Sequence, residues 1–291
     1  MNAPESKVEH ITVIGAGTMG SQIAMVCALS GFETALVDLN DEALERAREQ
    51  LWSRLDRDMV KGRRTKQEVQ SAKEHLSFGS DLVSAAMATD CVIEAAVEDL
   101  GIKRKLFAQL DDITPSHALL VTNSSNIVSS LVAEATTRPD KVCNMHFFNP
   151  AMVMECVEVV PHGQTSTETV QSISKLAESL GKSVVTVNKE IPGFVANRLL
   201  NAIRKEALYL YNNGVASVED IDRAAKTALR HPMGPFELMD LVGLDVVYLI
   251  RMAEYKQTGD PESLPDPAVT DLYKAGRLGR KSGSGWYDYA G

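Results

Sequence analysis

The chain has 291 residues, of which 44% are hydrophobic and 24% charged, and a formal net charge of −9. That length allows one large domain or two smaller ones, each with a real core, and the composition is that of an ordinary globular protein. The negative balance argues against nucleic acid as a partner, because a phosphate backbone rewards basic surfaces, and no apolar run has the length of a membrane span.

The first residues, MNAPESKVEH, carry neither an apolar h-region nor an Arg-rich amphipathic pattern, so the expected location is cytoplasmic. From His10 the chain reads strand, glycine turn, helix, strand, acid, in HITVIGAGTMGSQIAMVCALSGFETALVDL. Gly15, Gly17 and Gly20 supply a G-x-G-x-x-G spacing, and Asp38 ends the second apolar run. Gly15 permits the tight turn. Gly17 lets a pyrophosphate approach the backbone, and Gly20 lets the helix pack closely. Thr18 and Met19 open the helix whose free N–H groups and dipole face the phosphates, and they join the glycines as expected cofactor contacts. A carboxylate at Asp38 can accept hydrogen bonds from both adenosine ribose hydroxyls and would repel a 2′-phosphate. The expected cofactor is therefore NAD rather than NADP.

Beyond this unit a long charged helical region runs from 41 to about 72, interrupted near Gly62. Short strands are predicted at 76–78, 91–95, 118–122, 142–147, 157–160 and 184–187, with a helix over 167–180 closed by Gly181. A boundary falls in NKEIPG, where Pro192 suits the first position of a helix. Helices are then expected over 197–212 and 243–256, with another capped by Ser217 and Asp220. The Gly-rich tail from 275 to 289 reads as loop. The expected fold is α/β: a Rossmann-type, largely parallel sheet domain over 1–190, then a smaller all-helical domain over 191–291 for substrate and dimerisation. The cysteines Cys27, Cys91, Cys143 and Cys156 have no C-x-x-C spacing and sit in apolar patterns. They are expected to be buried, reduced thiols with no metal.

Several later segments carry a family resemblance: HFFNP at 146–150, VEVV at 157–160, PGFVANR at 192–198, HPMGPFELMDLVGLD at 231–245 and GRLGRKSGSGWYDY at 276–289. With GAGTMG, in this order, the chain resembles the L-3-hydroxyacyl-CoA dehydrogenases, especially the short bacterial 3-hydroxybutyryl-CoA type. The resemblance covers nearly the whole chain. It implies reversible NAD-dependent oxidation of an L-3-hydroxyacyl-CoA thioester to the 3-oxoacyl-CoA. His146 matches the family's catalytic base and Glu158 its carboxylate partner. A carboxylate at one ring nitrogen would fix the tautomer and stabilise the imidazolium. Ser125, in TNSSN, matches a serine touching the substrate oxygen near the nicotinamide, and Asn197 one that helps hold the substrate carbonyl. Asn149, Glu98 and Lys103 match residues around the nicotinamide half of the cofactor. Lys281 is a weaker cofactor match. Lys61, in a local basic cluster with Arg63, Arg64 and Lys66, aligns approximately with a CoA contact.

Two positions depart from the family pattern: Glu155 stands where a lysine is usual, and Asn126 replaces a serine. Both put acyl specificity in question rather than reaction type. Two other readings stay open at this point, a related dehydrogenase of free hydroxy acids and a non-catalytic, crystallin-like NAD-binding protein. The second domain is too small to bury both faces of its helices alone, so a homodimer is expected, as the resemblance also implies.

Overall fold

The computed structural model describes residues 8–289 of the chain. The apolar runs become eight strands: β1 (His10–Ile14), β2 (Glu33–Val37), β3 (Leu76–Gly79), β4 (Cys91–Glu94), β5 (Leu119–Thr122), β6 (Val142–Phe147), β7 (Cys156–Pro161) and β8 (Ser183–Thr186). They form one sheet in the order β3-β2-β1-β4-β5-β6-β7-β8. All neighbours are parallel except β6 and β7. The chain first builds outward from β1 through β2 to β3, then returns to place β4 on the other side of β1. That reversal opens a crevice at the carboxyl ends of β1 and β4, where α/β sheets bind ligands.

Period-two alternation explains why the strands are apolar throughout. Cys91, Ile93, Leu119, Val121, Cys143 and Met145 point into the larger core, while Val92, Leu120 and Val142 point into the smaller one on the opposite face. The larger core is covered by α1 (Thr18–Leu29), α2 (Asp41–Val60) and α3 (Lys66–His75). The smaller involves α4 (Leu82–Ala86), α5 (Leu100–Ile113) and α6 (Ser129–Ala133), and α7 (Thr167–Ser179) returns to the larger. Each fully buried Ile, Leu or Val contributes about 1.5–3 kcal/mol by leaving water. Side-chain caps fix the helix starts. Asn40, Asp81, Asp99 and Ser166 each accept a hydrogen bond from an N–H of the first turn, and Thr65 and Glu68 form a full capping box.

A second compact unit begins after Phe194. It contains α8 (Ala196–Asn212), α9 (Val218–Thr227), α10 (Pro235–Val242), α11 (Leu244–Thr258) and α12 (Pro267–Lys274). Its core gathers Ala207, Val218, Phe236, Met239, Leu244 and Val269, with Trp286 packed against it from the tail. No helix among the described residues is long and apolar enough to cross a membrane.

Three expectations need correction. Pro192 does not open a helix; α8 starts at Ala196 after a turn with Gly193 at φ 77° and Phe194 at φ 45°. The turn is tied down elsewhere, since Gly193 N–H donates to the Ser125 carbonyl at 3.0 Å and Phe194 is buried. The tail is more than loop: a 3-10 turn and two bridges, Gly279–Ser284 and Ser284–Asp288, organise it. Cys156 is only half-buried because it opens β7 at the strand's end, whereas the other three cysteines are buried. Burial pushes the Cys27 and Cys143 thiols up to about 12, so they stay protonated and inert.

Candidate active site

The one antiparallel pairing in the sheet sets the central geometry. In the β6–β7 register His146 lies directly opposite Glu158, so both side chains leave the same face. His146 Nδ1 stands 2.9 Å from Glu158 Oε2, and both side chains are almost wholly buried. A carboxylate can only accept, so Nδ1 carries the proton and Nε2 is left with its lone pair. Phe148 and Phe194 hold the imidazole edge-to-face, with centroids at 4.5 and 5.4 Å. The ring is thus fixed in tautomer and direction before any substrate arrives.

The loop after β5 is fastened to this strand. Asn123 Oδ1 accepts from the Phe147 N–H at 2.8 Å. Asn144, two residues before the histidine, accepts from Ser129 N–H at 2.7 Å and donates to the Ser124 carbonyl at 3.0 Å. Ser125 is held between these ties, its own hydroxyl without a hydrogen bond among the described residues and only half-buried. Asn126 and Asn149 are exposed, as is Glu155 at the approach to β7.

Next to this loop lies a charged cluster. Lys103 is buried, with Nζ at 2.5 Å from Glu94 and 3.5 Å from Glu98. Glu94 also accepts from the Ala96 N–H at 2.7 Å and the Thr122 hydroxyl at 2.6 Å. The Ser124 hydroxyl donates to Glu98. Glu98 and Lys103 are therefore brought together, although they are not neighbours on a helix face. Glu94, Ser124, Asn123 and Asn144 escaped the sequence reading. Glu94 had a usable signal, a carboxylate inside the apolar run CVIEA, which is costly to bury without a partner.

At the carboxyl end of β1 the turn suits a dinucleotide. Gly15 has φ 104°, and a Cβ there would lie 2.6 Å from the Ala95 carbonyl oxygen. A Cβ on Gly20 would lie 1.9 Å from the Gly15 carbonyl oxygen. Gly20 is thus required mainly by the turn itself. A Cβ on Gly17 would meet nothing within 4 Å, so that side of the turn is open to a close-lying group. Thr18 and Met19 begin α1, whose N-terminus has no side-chain cap and no acid in its first turn. Its N–H groups suit phosphate oxygens. Asp38 accepts from the Ala16 N–H at 2.7 Å and the Asn40 N–H at 2.9 Å, which braces the glycine turn and leaves lone pairs for ribose hydroxyls.

Of the remaining candidates, Lys61 belongs to the first unit and Asn197 and Lys281 to the second. Lys61 is exposed at the C-terminal end of α2. Asn197 is the second residue of α8, and Lys281 is paired with Asp245 of α11. Among the described residues there is no cluster of His, Cys, Asp and Glu fit to hold a metal.

Residues 10–191 match the model for the 3-hydroxyacyl-CoA dehydrogenase NAD-binding domain, and 193–289 that for the 3-hydroxyacyl-CoA dehydrogenase C-terminal domain. The chain is 42% identical to a probable 3-hydroxybutyryl-CoA dehydrogenase of Bacillus subtilis, across 97% of this chain and 98% of that one. Among solved structures it resembles FadB2 of M. tuberculosis, with a TM-score of 0.88 at 37% identity over 98% of this chain and 100% of the other. It also resembles (S)-3-hydroxybutyryl-CoA dehydrogenase PaaH1 of Ralstonia eutropha, with a TM-score of 0.86 at 36% identity and the same coverage.

Proposed function

The chain belongs to the 3-hydroxyacyl-CoA dehydrogenase family across both domains, and from that premise we propose that His146 and Glu158 form the general base of its reaction. The enzyme is an NAD-dependent oxidoreductase that interconverts L-3-hydroxyacyl-CoA and 3-oxoacyl-CoA. NAD, when bound, accepts the hydride from C3. His146 Nε2 takes the hydroxyl proton as the C–H bond breaks, so the oxygen becomes a ketone without passing through a free alkoxide. Glu158, hydrogen-bonded at Nδ1, balances the imidazolium charge that forms. In the reverse direction the same imidazolium returns the proton. Ser125 donates to the ketone or accepts from the alcohol, as a hydroxyl can, and Asn197 steadies the thioester side of the substrate. Gly15, Gly17, Thr18, Met19, Gly20 and Asp38 hold the adenosine and pyrophosphate. Glu98, Lys103 and Asn149 position the nicotinamide half, Lys281 approaches the cofactor, and Lys61 meets CoA phosphate. The protein acts as a homodimer in the cytoplasm, and short acyl chains such as 3-hydroxybutyryl are its substrates.

The observation that carries this reading is the 2.9 Å contact between buried His146 and Glu158 at the mouth of the sheet. The test is reduction of acetoacetyl-CoA by NADH, followed by loss of absorbance. Turnover in the native enzyme and a fall of about 10² to 10⁴ in kcat for His146→Ala are expected, with NADH binding unchanged by fluorescence. Undiminished turnover in His146→Ala, or none on any 3-oxoacyl-CoA in the native enzyme, would overturn it.

A further inference from the structure

The helical unit holds a cation for which the reaction just described has no use. Arg204 lies on α8 two turns beyond Asn197, about 10 Å along the axis. Leu200, between them, falls on the same face. Leu200, Ile203, Met233 and Leu238 form the apolar walls of a narrow pocket of about 50 Å³, to which Arg204 and His231 bring polar groups. Arg204 Nη1 reaches Asn201 Oδ1 at 3.4 Å. Its Nε is buried and has no hydrogen-bond partner. Burial, and then the like charge of Arg251, lower its pKa from the ordinary guanidinium value. His231 follows Arg230, which takes a left-handed φ of 60°. Such a conformation in a non-glycine residue persists where surrounding structure demands it.

A guanidinium whose buried Nε is unpartnered, in a pocket with apolar walls, lacks an anion. Its Nε–Nη2 edge matches a carboxylate in bidentate geometry. We propose that this pocket receives a carboxylate at the far end of the acyl chain, making Arg204 a specificity-determining residue for dicarboxylyl thioesters. The proposal rests on the dehydrogenase reading and on Asn197 steadying the thioester side. The chain would then run from Asn197 past Leu200 to the guanidinium. An Arg side chain on a helix leans toward the N-terminus, which shortens that path.

The test compares kcat/KM with NADH for 3-oxohexanoyl-CoA against 3-oxohexanedioyl-CoA, and for 3-oxooctanoyl-CoA against 3-oxooctanedioyl-CoA. In the native enzyme at least one dicarboxylyl substrate should be favoured by roughly ten-fold or more, since a site built for a polar group discriminates strongly against substrates lacking it. Arg204→Leu should abolish the preference through KM, leave acetoacetyl-CoA turnover intact and keep the native mass. Arg204→Lys should keep part of it. Should Arg204→Leu fail to fold, Arg204→Met serves in its place. Turnover without a preference, or a preference unchanged in these variants, overturns the proposal and leaves the dehydrogenase reading standing. A change of oligomeric state without a change of preference also overturns it, assigning Arg204 to a subunit contact. Thermal stabilisation by hexanedioate and not hexanoate, lost in Arg204→Leu, would support the pocket even if no thioester were turned over. In that last case the dehydrogenase reading alone would fail.

Discussion

At the scale of single residues, a neutral imidazole removes a proton well only if its product cation is stabilised where it forms. Glu158 is buried and can screen that charge from a low-dielectric side, where its influence is greatest. Glu158→Gln keeps the shape and a hydrogen-bonding group but not the charge. The amide can also donate, which would favour the wrong imidazole tautomer. The expected result is a fall in kcat of about 10² or more, with KM changed far less. Full activity in Glu158→Gln would show that the carboxylate only fills space. The family resemblance singles out His146 and Glu158, each a polar residue inside an apolar run. Their meeting depends on the antiparallel turn between β6 and β7, and no local pattern encodes that register. Glu94 had the same kind of signal, yet its partner Lys103 sits on α5, where a lysine ordinarily faces solvent.

At the scale of elements, boundaries were most legible where a cap or a glycine marked them. Ser217 does accept from the Asp220 N–H, and Gly181 and Gly214 take the positive φ that ends α7 and α8. The helices α10 and α12 were harder, because both open on a proline and run only eight residues. Long-range bonds organise the tail, and these leave no periodic trace. Asp240 accepts from the Trp286 and Tyr287 N–H groups at 2.9 Å and from the Tyr289 hydroxyl at 2.9 Å. Asp222 caps α10 through the Phe236 and Glu237 N–H groups and accepts from the Tyr287 hydroxyl at 2.8 Å. Burial, and next the bond to Asp240, push the Tyr289 phenol up to about 12, and burial with Asp222 also raises Tyr287. An unfolded tyrosine titrates near 10. The native state therefore holds these protons more tightly than the unfolded one. The stabilisation from Tyr289 is complete below about pH 10 and is lost as the pH rises toward 12, and that from Tyr287 declines over the same range and beyond it. Melting of a Trp52→Phe protein, followed by the fluorescence of Trp286, should fall steeply across that range. The decline should be shallower with Tyr287→Phe and Tyr289→Phe added, and equal slopes would remove the clasp from the account.

At the scale of the whole molecule, the sheet and its switch point were legible because both depend on the repeated strand-and-helix grammar of the first unit. Association between copies would depend instead on which apolar residues remain uncovered. On α8, Leu199 is 61% exposed and Ile203 41%; on α11, Leu249 and Ile250 are each 54% exposed. Leu199 and Ile203 are one turn apart on a shared helix face, as Val246 and Ile250 are on α11. Contiguous stripes of this kind usually mark association surfaces, whereas scattered single residues do not. A closed two-fold dimer would bury the α11 stripe against its copy without leaving a surface free to propagate. Sedimentation equilibrium should therefore give twice the 31.7 kDa of the chain. Leu249→Glu with Ile250→Glu should shift the mass toward 31.7 kDa, because paired glutamates facing their own copies would be desolvated without partners. A native protein that stays at one chain's mass across the accessible concentrations would show that these stripes do not join two copies.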